Sequence, residues 1–218
     1  PELNLAFEQF TASLSGTVEL RYQVDISEGQ LSVTLSPADG PSNALFATDL
    51  EPFSGTRFQF KFENVLPGEY VVALTGKLAS LFCWDKDAIS VKISDSNVDS
   101  AVFVQKGVFL QISLSHSTDL TIQSPSGRQV KVEKASIGPE RIVHQCVAEL
   151  GKYKISSQGC HKFSENEQDT FVFDTTSMAG QILTLTAVKH LVTAHVRSAS
   201  NLSDLSVKVS VRSLDGQY

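Results

Sequence analysis

Three cysteines and five histidines give this 218-residue chain its widest chemical range. Cys146 and Cys160 flank a stretch around Tyr153 that reads as a strand. A strand pair crossing there would bring the two thiols within disulfide range. The bridge would close a loop of roughly 15 residues and contribute about 3 kcal/mol in the chain-entropy account. Two other states of these residues stay open: a reduced, buried pair, and a zinc site built from His144, Cys146, Cys160 and His161. The disulfide is favoured, because the spacing is not that of a Cys-x2-4-Cys pair and neighbours such as Cys160 and His161 point to opposite faces of a strand. Cys83, in Phe82-Cys83-Trp84, reads as a small buried hydrophobe rather than a reactive thiol. Trp84 reads as core rather than as a sugar-stacking platform.

Catalytic patterns are missing from the sequence. It holds no Gly-x-Ser-x-Gly, no Gly-rich phosphate loop and no His-Glu-x-x-His. His116 lies between hydroxyls in Ser115-His116-Ser117, and no Asp or second His is spaced for a triad on that strand. A strand-end histidine bonded to backbone is the expectation. Glu165-Asn166-Glu167-Gln168-Asp169 offers oxygen ligands but lacks the order of a calcium loop, so it reads as a solvated turn. Asn201-Leu202-Ser203 is the one Asn-x-Ser/Thr sequon, which makes Asn201 a candidate glycosylation site in a polar linker. No cofactor or metal is expected.

Composition narrows the classes of function. Apolar residues make up 41% of the chain, enough for proper cores, and charged residues only 19%, which excludes general disorder. The formal net charge is -6, and no Lys/Arg-rich stretch breaks it. A nucleic-acid partner or an acidic lipid surface would call for a clustered basic face. No apolar run approaches the ~20 residues of a membrane-spanning helix. The chain lacks an initiating Met and a signal-peptide pattern, so it reads as a piece of a longer protein.

The elements that must position these residues are strands. Leu31–Leu35, Phe58–Phe62, Ile89–Ile93, Leu183–Leu185 and Leu205–Val211 alternate apolar and polar side chains, the period-2 mark of a half-buried strand. Between them lie Pro/Gly/Ser turns such as Ser124-Pro125-Ser126-Gly127. The class expected is all-β, with tandem Ig-like or prealbumin-like antiparallel sandwiches. A repeat supports it. Leu66-Pro67-Gly68-Glu69-Tyr70 is echoed by Glu149-Leu150-Gly151-Lys152-Tyr153, and Val104–Gly107 by Ala187–His190. Both landmarks are offset by 83 residues. The expected units are residues 1-106, 107-189 and the first two strands of a third at 190-218, with a leader at 1-10. The segment Phe53–Phe62 fits either a core strand or a partly exposed patch.

Longer strings then carry a family resemblance. Pro67-Gly68-Glu69-Tyr70 looks like the strand signature of carboxypeptidase-regulatory-like repeats. Cys83-Trp84, Ser113–His116, Gly151–Ile155, Gly159–Phe163, Phe173–Ser177 and Ile182–Ala187, in that order, resemble the nodal modulator family of endoplasmic reticulum membrane proteins. The resemblance implies a lumenal rod of sandwich repeats with a membrane anchor elsewhere. It also implies association with nicalin, a small multipass membrane protein and translocon components that insert multi-spanning proteins. Cys146 and Cys160 fall where that family also has cysteines, which strengthens the expected pairing.

The function expected is a non-catalytic scaffold or interaction module in the endoplasmic reticulum lumen. The alternative is a carbohydrate-binding sandwich, which would need a row of exposed aromatics from a chain only 8% aromatic. An accessory domain of a hydrolase is a third reading.

Overall fold

The computed structural model describes residues 10–24, 26, 29–40, 46–135, 142–164, 169–177 and 181–191. Among the described residues, the alternating sequences become strands; Leu205–Val211 lies outside them. The first half comprises β1 (Ala12–Glu19), β2 (Ser32–Pro37), β3 (Phe46–Asp49), β4 (Glu51–Ser54), β5 (Arg57–Val65), β6 (Gly68–Thr75), a short helix α1 (Lys77–Leu81), β7 (Phe82–Trp84) and β8 (Ala88–Ile93). The 17-residue β9 (Val98–Leu114) follows. The second half adds β10 (Thr118–Gln123), β11 (Gln129–Ala135), β12 (Ile142–Val147), β13 (Lys152–Gln158), β14 (His161–Lys162), β15 (Thr170–Asp174), β16 (Ile182–Leu185) and β17 (Lys189–His190).

Both halves are wired alike. One sheet of the first runs β3-β2-β6-β8, and its counterpart in the second runs β11-β10-β13-β15. The opposing sheet of the first half places β1 between β5, antiparallel, and the early part of β9, parallel. In the second half the late part of β9 takes the place of β1. It lies between β12, antiparallel, and β16, parallel. β9 therefore closes one sandwich and opens the next without a break, and the position between residues 106 and 107 falls inside it. Its side chains alternate between buried and partly exposed along nearly the whole length, as a strand with one face on the core must.

The core follows the sequence alternation. Leu14 and Val18 of β1, Val33 and Leu35 of β2, Val72 of β6 and Phe103 of β9 are fully buried in the first half. Leu110 and Ile112 of β9, Ile122 of β10 and Ile155 of β13 do the same in the second. A matched pair of tyrosines locks each sandwich. Tyr70 Oη donates to the Leu66 carbonyl at 2.9 Å, and Tyr153 Oη to the Glu149 carbonyl at 2.7 Å. Each phenol ties the head of its strand to the turn four residues earlier, the tyrosine corner of Ig-like sandwiches. The phenylalanine-rich segment divides: Phe60 and Phe62 are buried, whereas Phe53 on the edge strand β4 is 61% exposed.

Candidate functional site

The chemistry-bearing residues gather where the chain leaves each sandwich. At the first exit, β7 lies along β9 with Cys83 opposite Gly107. β12 also pairs with β9 and places Cys146 opposite Phe109. Cys83 and Cys146 form a disulfide with Cα atoms 5.9 Å apart, bridging 63 residues of sequence and tying the first sandwich to the second. The expected Cys146–Cys160 bridge is thereby corrected. That expectation needed the strands before and after Tyr153 to be neighbours. Instead β12 belongs to the sheet built on β9, whereas β13 lies between β10 and β15 in the other sheet. Cys160 is a free, exposed thiol. Cys83 is indeed buried, but as half of a disulfide rather than as a lone hydrophobe.

The surroundings of this exit are close-packed and fully bonded. Gln105 is buried; its Oε1 accepts from the Arg21 amide at 2.9 Å and its Nε2 donates to the Gly107 carbonyl at 3.1 Å. From the first sandwich, Arg21 Nε and Tyr22 Oη both donate to the Ala148 carbonyl of the second, at 3.1 and 2.6 Å. Burial raises the Tyr22 phenol above its ordinary value, so it stays a protonated donor. Gly107 permits the approach. A Cβ there would run into the Val147 carbonyl oxygen and sit 3.2 Å from the Ala148 Cα.

At the second exit, β14 pairs with β17 and sets His161 directly opposite His190. The Leu191 amide bonds the Cys160 carbonyl at 2.6 Å in the neighbouring rung. His161 and His190 thus occupy a rung between bonded ones, where cross-strand side chains come closest. His161 Nδ1 and His190 Nδ1 are 2.7 Å apart. His116, in the turn after β9, completes a triangle, with ring centroids 4.6 Å from His161 and 5.0 Å from His190. Each ring contributes a nitrogen within 4.8 Å of the others'. Partial desolvation, then the charges of His116 and His190, hold the His161 imidazole below its ordinary pKa and so neutral over a wider pH range. His116 is also anchored from behind. Its Nδ1 lies 3.0 Å from Ser115 Oγ, which accepts from the Ala187 amide at 2.8 Å.

Other expected site residues fall elsewhere. His144 stacks edge-on against Phe109, with ring centroids 5.7 Å apart, and Cys146 is spent in the disulfide. The set of His144, Cys146, Cys160 and His161 is therefore not assembled, and only His161 enters a cluster. Residues 165–168 of the acidic run lie outside the described residues; Asp169, its last member, accepts from the Phe163 and Ser164 amides and from Ser157 Oγ. Trp84 is half-buried against Phe82 and donates to the Ala79 carbonyl at 3.1 Å. Asn201 and nearly all of 190-218 lie outside the described residues. An open groove of about 720 Å³ runs over β1 and β5 past Asp49, Glu51, Lys61 and Asp99, and among the described residues its one aromatic lining residue, Phe60, is buried. Sequence reading missed the histidine triangle because its members sit on three elements, brought together only when β14 pairs with β17.

Relatives place this architecture. Residues 109–189 match the NOMO Ig-like domain family. The chain is 33% identical over 215 residues to the human BOS complex subunit NOMO3, a match covering 96% of this chain and 16% of that protein. Mouse BOS complex subunit NOMO1 is 33% identical over 196 residues, covering 87% of this chain and 14% of its own. The chain thus spans about one sixth of the length of these relatives. Among solved structures, the Bacillus anthracis TIE protein aligns over 81% of this chain and 33% of its own at 14% identity and a TM-score of 0.32, too distant to inform function. The region that matches begins in the late part of β9 and ends at the β14–β17 pair, the whole of the second sandwich. With identity extending across the first sandwich as well, the chain belongs to the nodal modulator (NOMO) family.

Proposed function

We propose that this chain is a non-catalytic segment of a subunit of a membrane protein complex of the BOS type, acting as a rigid lumenal spacer that presents sandwich faces to partners. The observation that carries the reading is the 33% identity with human BOS complex subunits across 96% of the chain. Physical features support the spacer role. β9 is common to both sandwiches, a disulfide joins them, and Arg21 and Tyr22 of the first bond the Ala148 carbonyl of the second, so their relative geometry does not depend on a flexible linker. The disulfide also suits an oxidising compartment, in keeping with the endoplasmic reticulum lumen and with a glycan at Asn201. The units 1-106, 107-189 and 190-218 are the repeats of that rod in this proposal, and nicalin, a small multipass membrane protein and translocon components are its partners.

Affinity purification of a tagged, lumen-targeted version of this chain, followed by proteomics, tests the proposal. Recovery of nicalin or translocon components assigns the docking surface to these sandwiches. Recovery of folding chaperones alone removes the docking role and leaves a spacer.

A further inference from the structure

We propose that His116, His161 and His190 form a binding site for a divalent transition-metal ion, with zinc as the expected occupant, at the exit of the second sandwich. Three imidazoles from three separate elements converge there, and each brings a nitrogen within 4.8 Å of the other two. Zn–N bonds of about 2.0–2.1 Å at tetrahedral angles place ligand nitrogens about 3.3 Å apart. The 2.7 Å gap between His161 and His190 would open slightly and His116 would swing in, small rotations for rings that are half-buried or exposed.

The donor set decides the class of ion. Among the described residues it contains nitrogen only, with no carboxylate and no thiolate. That disfavours calcium and magnesium, which need oxygen, and favours zinc and its neighbours, for which imidazole is a matched ligand. Three protein ligands leave a fourth position for water.

The supporting bonds also have the form such a site requires. A metal-bound histidine donates its other ring N–H to a fixed acceptor. With His116 bound through Nε2, its Nδ1–H donates to Ser115 Oγ, which already accepts from the Ala187 amide. Both acceptor sites of that hydroxyl are then used, and the bond selects the tautomer that leaves Nε2 free for an ion. His190 belongs to β17, so a bound ion would clip the outgoing chain to β14 and to the turn after β9.

The test is calorimetric titration of the untagged 218-residue chain with zinc alone, after chelation and removal of the chelator. One equivalent of zinc is expected to bind. Single His116→Ala, His161→Ala and His190→Ala variants should each weaken binding by more than about 100-fold. Ser115→Ala, which removes only the positioning bond, should weaken it about 10–100-fold at unchanged stoichiometry. His144→Ala, distant from the triangle, and Cys160→Ser should leave affinity within about threefold. Cobalt titration should give the intense visible absorption of a four-coordinate ion and lose it in the same histidine variants. Melting of each variant in chelator, matched to the parent, shows that a loss of binding is not a loss of fold. Absence of zinc heat and of the cobalt spectrum overturns the site. So does unchanged binding in the His161→Ala/His190→Ala double variant, or a loss in Cys160→Ser as large as in His161→Ala.

Discussion

At Gly107 the strand leaving the first sandwich is faced by Cys83, and at His190 the strand leaving the second is faced by His161. Gly107 and His190 are separated by the same 83 residues as the two corner tyrosines. Equivalent places in two related sandwiches therefore carry different fastenings. The first exit is closed by a covalent bond, a buried glutamine and two donors on one carbonyl, all internal to the protein. The second is held by a short strand pair and three side chains whose ring nitrogens face one another at the surface. A disulfide acts largely by restricting the unfolded chain, whatever is dissolved around the folded one. Imidazoles hold only as firmly as their protonation and ligands allow. One exit is fastened covalently, and the other by backbone pairing and side chains alone.

The contrast can be broken most forcefully at the first exit. Replacing both Cys83 and Cys146 by Ala should cost about 4 kcal/mol by the chain-entropy relation for a 63-residue loop. Urea unfolding would show this as a lower midpoint, and a reducing agent would then have no further effect. Mass mapping of the non-reduced chain should recover the Cys83–Cys146 link; a Cys146–Cys160 link would erase the difference between the exits. Gly107→Val should cost about 3 kcal/mol, because its side chain would drive the Val147 backbone off β9. Thermal unfolding of the second sandwich should register that loss as fully as the first, since both use β9.

Smaller effects sharpen the comparison. Tyr70→Phe and Tyr153→Phe should each cost about 1 kcal/mol, the value of a hydrogen bond whose carbonyl partner is left behind. Equal costs in denaturant titration would show that the sandwiches are alike wherever their exits are not involved. Smallest of all, His161→Ala in the presence of chelator should change stability by less than about 0.5 kcal/mol, as expected of a surface substitution without a ligand. A cost as large as that of the cysteine pair would mean that the second exit is fastened as firmly as the first.

How far the sequence spoke depended on the range of each interaction. Alternating runs such as Phe58–Phe62 declare a half-buried strand locally, and the two Pro/Leu-Gly-x-Tyr turns declare their corner bonds within five residues. The all-β class and the family followed from such local signals. The disulfide partner did not, because it depends on which strands flank β9. Cys160 is closer to Cys146 in sequence, yet the chain between them crosses from one sheet to the other. The histidine triangle was hidden for the same reason: residues 116, 161 and 190 meet only once β14 and β17 have paired beside the end of β9. Edge position, too, is a property of the sheet, so Phe53 and Phe60 looked alike until β4 emerged as an outer strand.

The continuity of β9 has a mechanical consequence. Over 17 residues it spans about 56 Å at the rise of an extended strand. β1, where the chain enters the first sandwich, runs parallel to its early part, and β16, near the exit of the second, runs parallel to its late part. Tension applied along the chain would therefore load the β1–β9 and β9–β16 ladders in shear, with all their rungs resisting together, rather than unzipping them one at a time. Between the two ladders the force is carried by a single unbroken backbone. Two sandwiches joined in this way would pass a pull from one to the other through β9 itself.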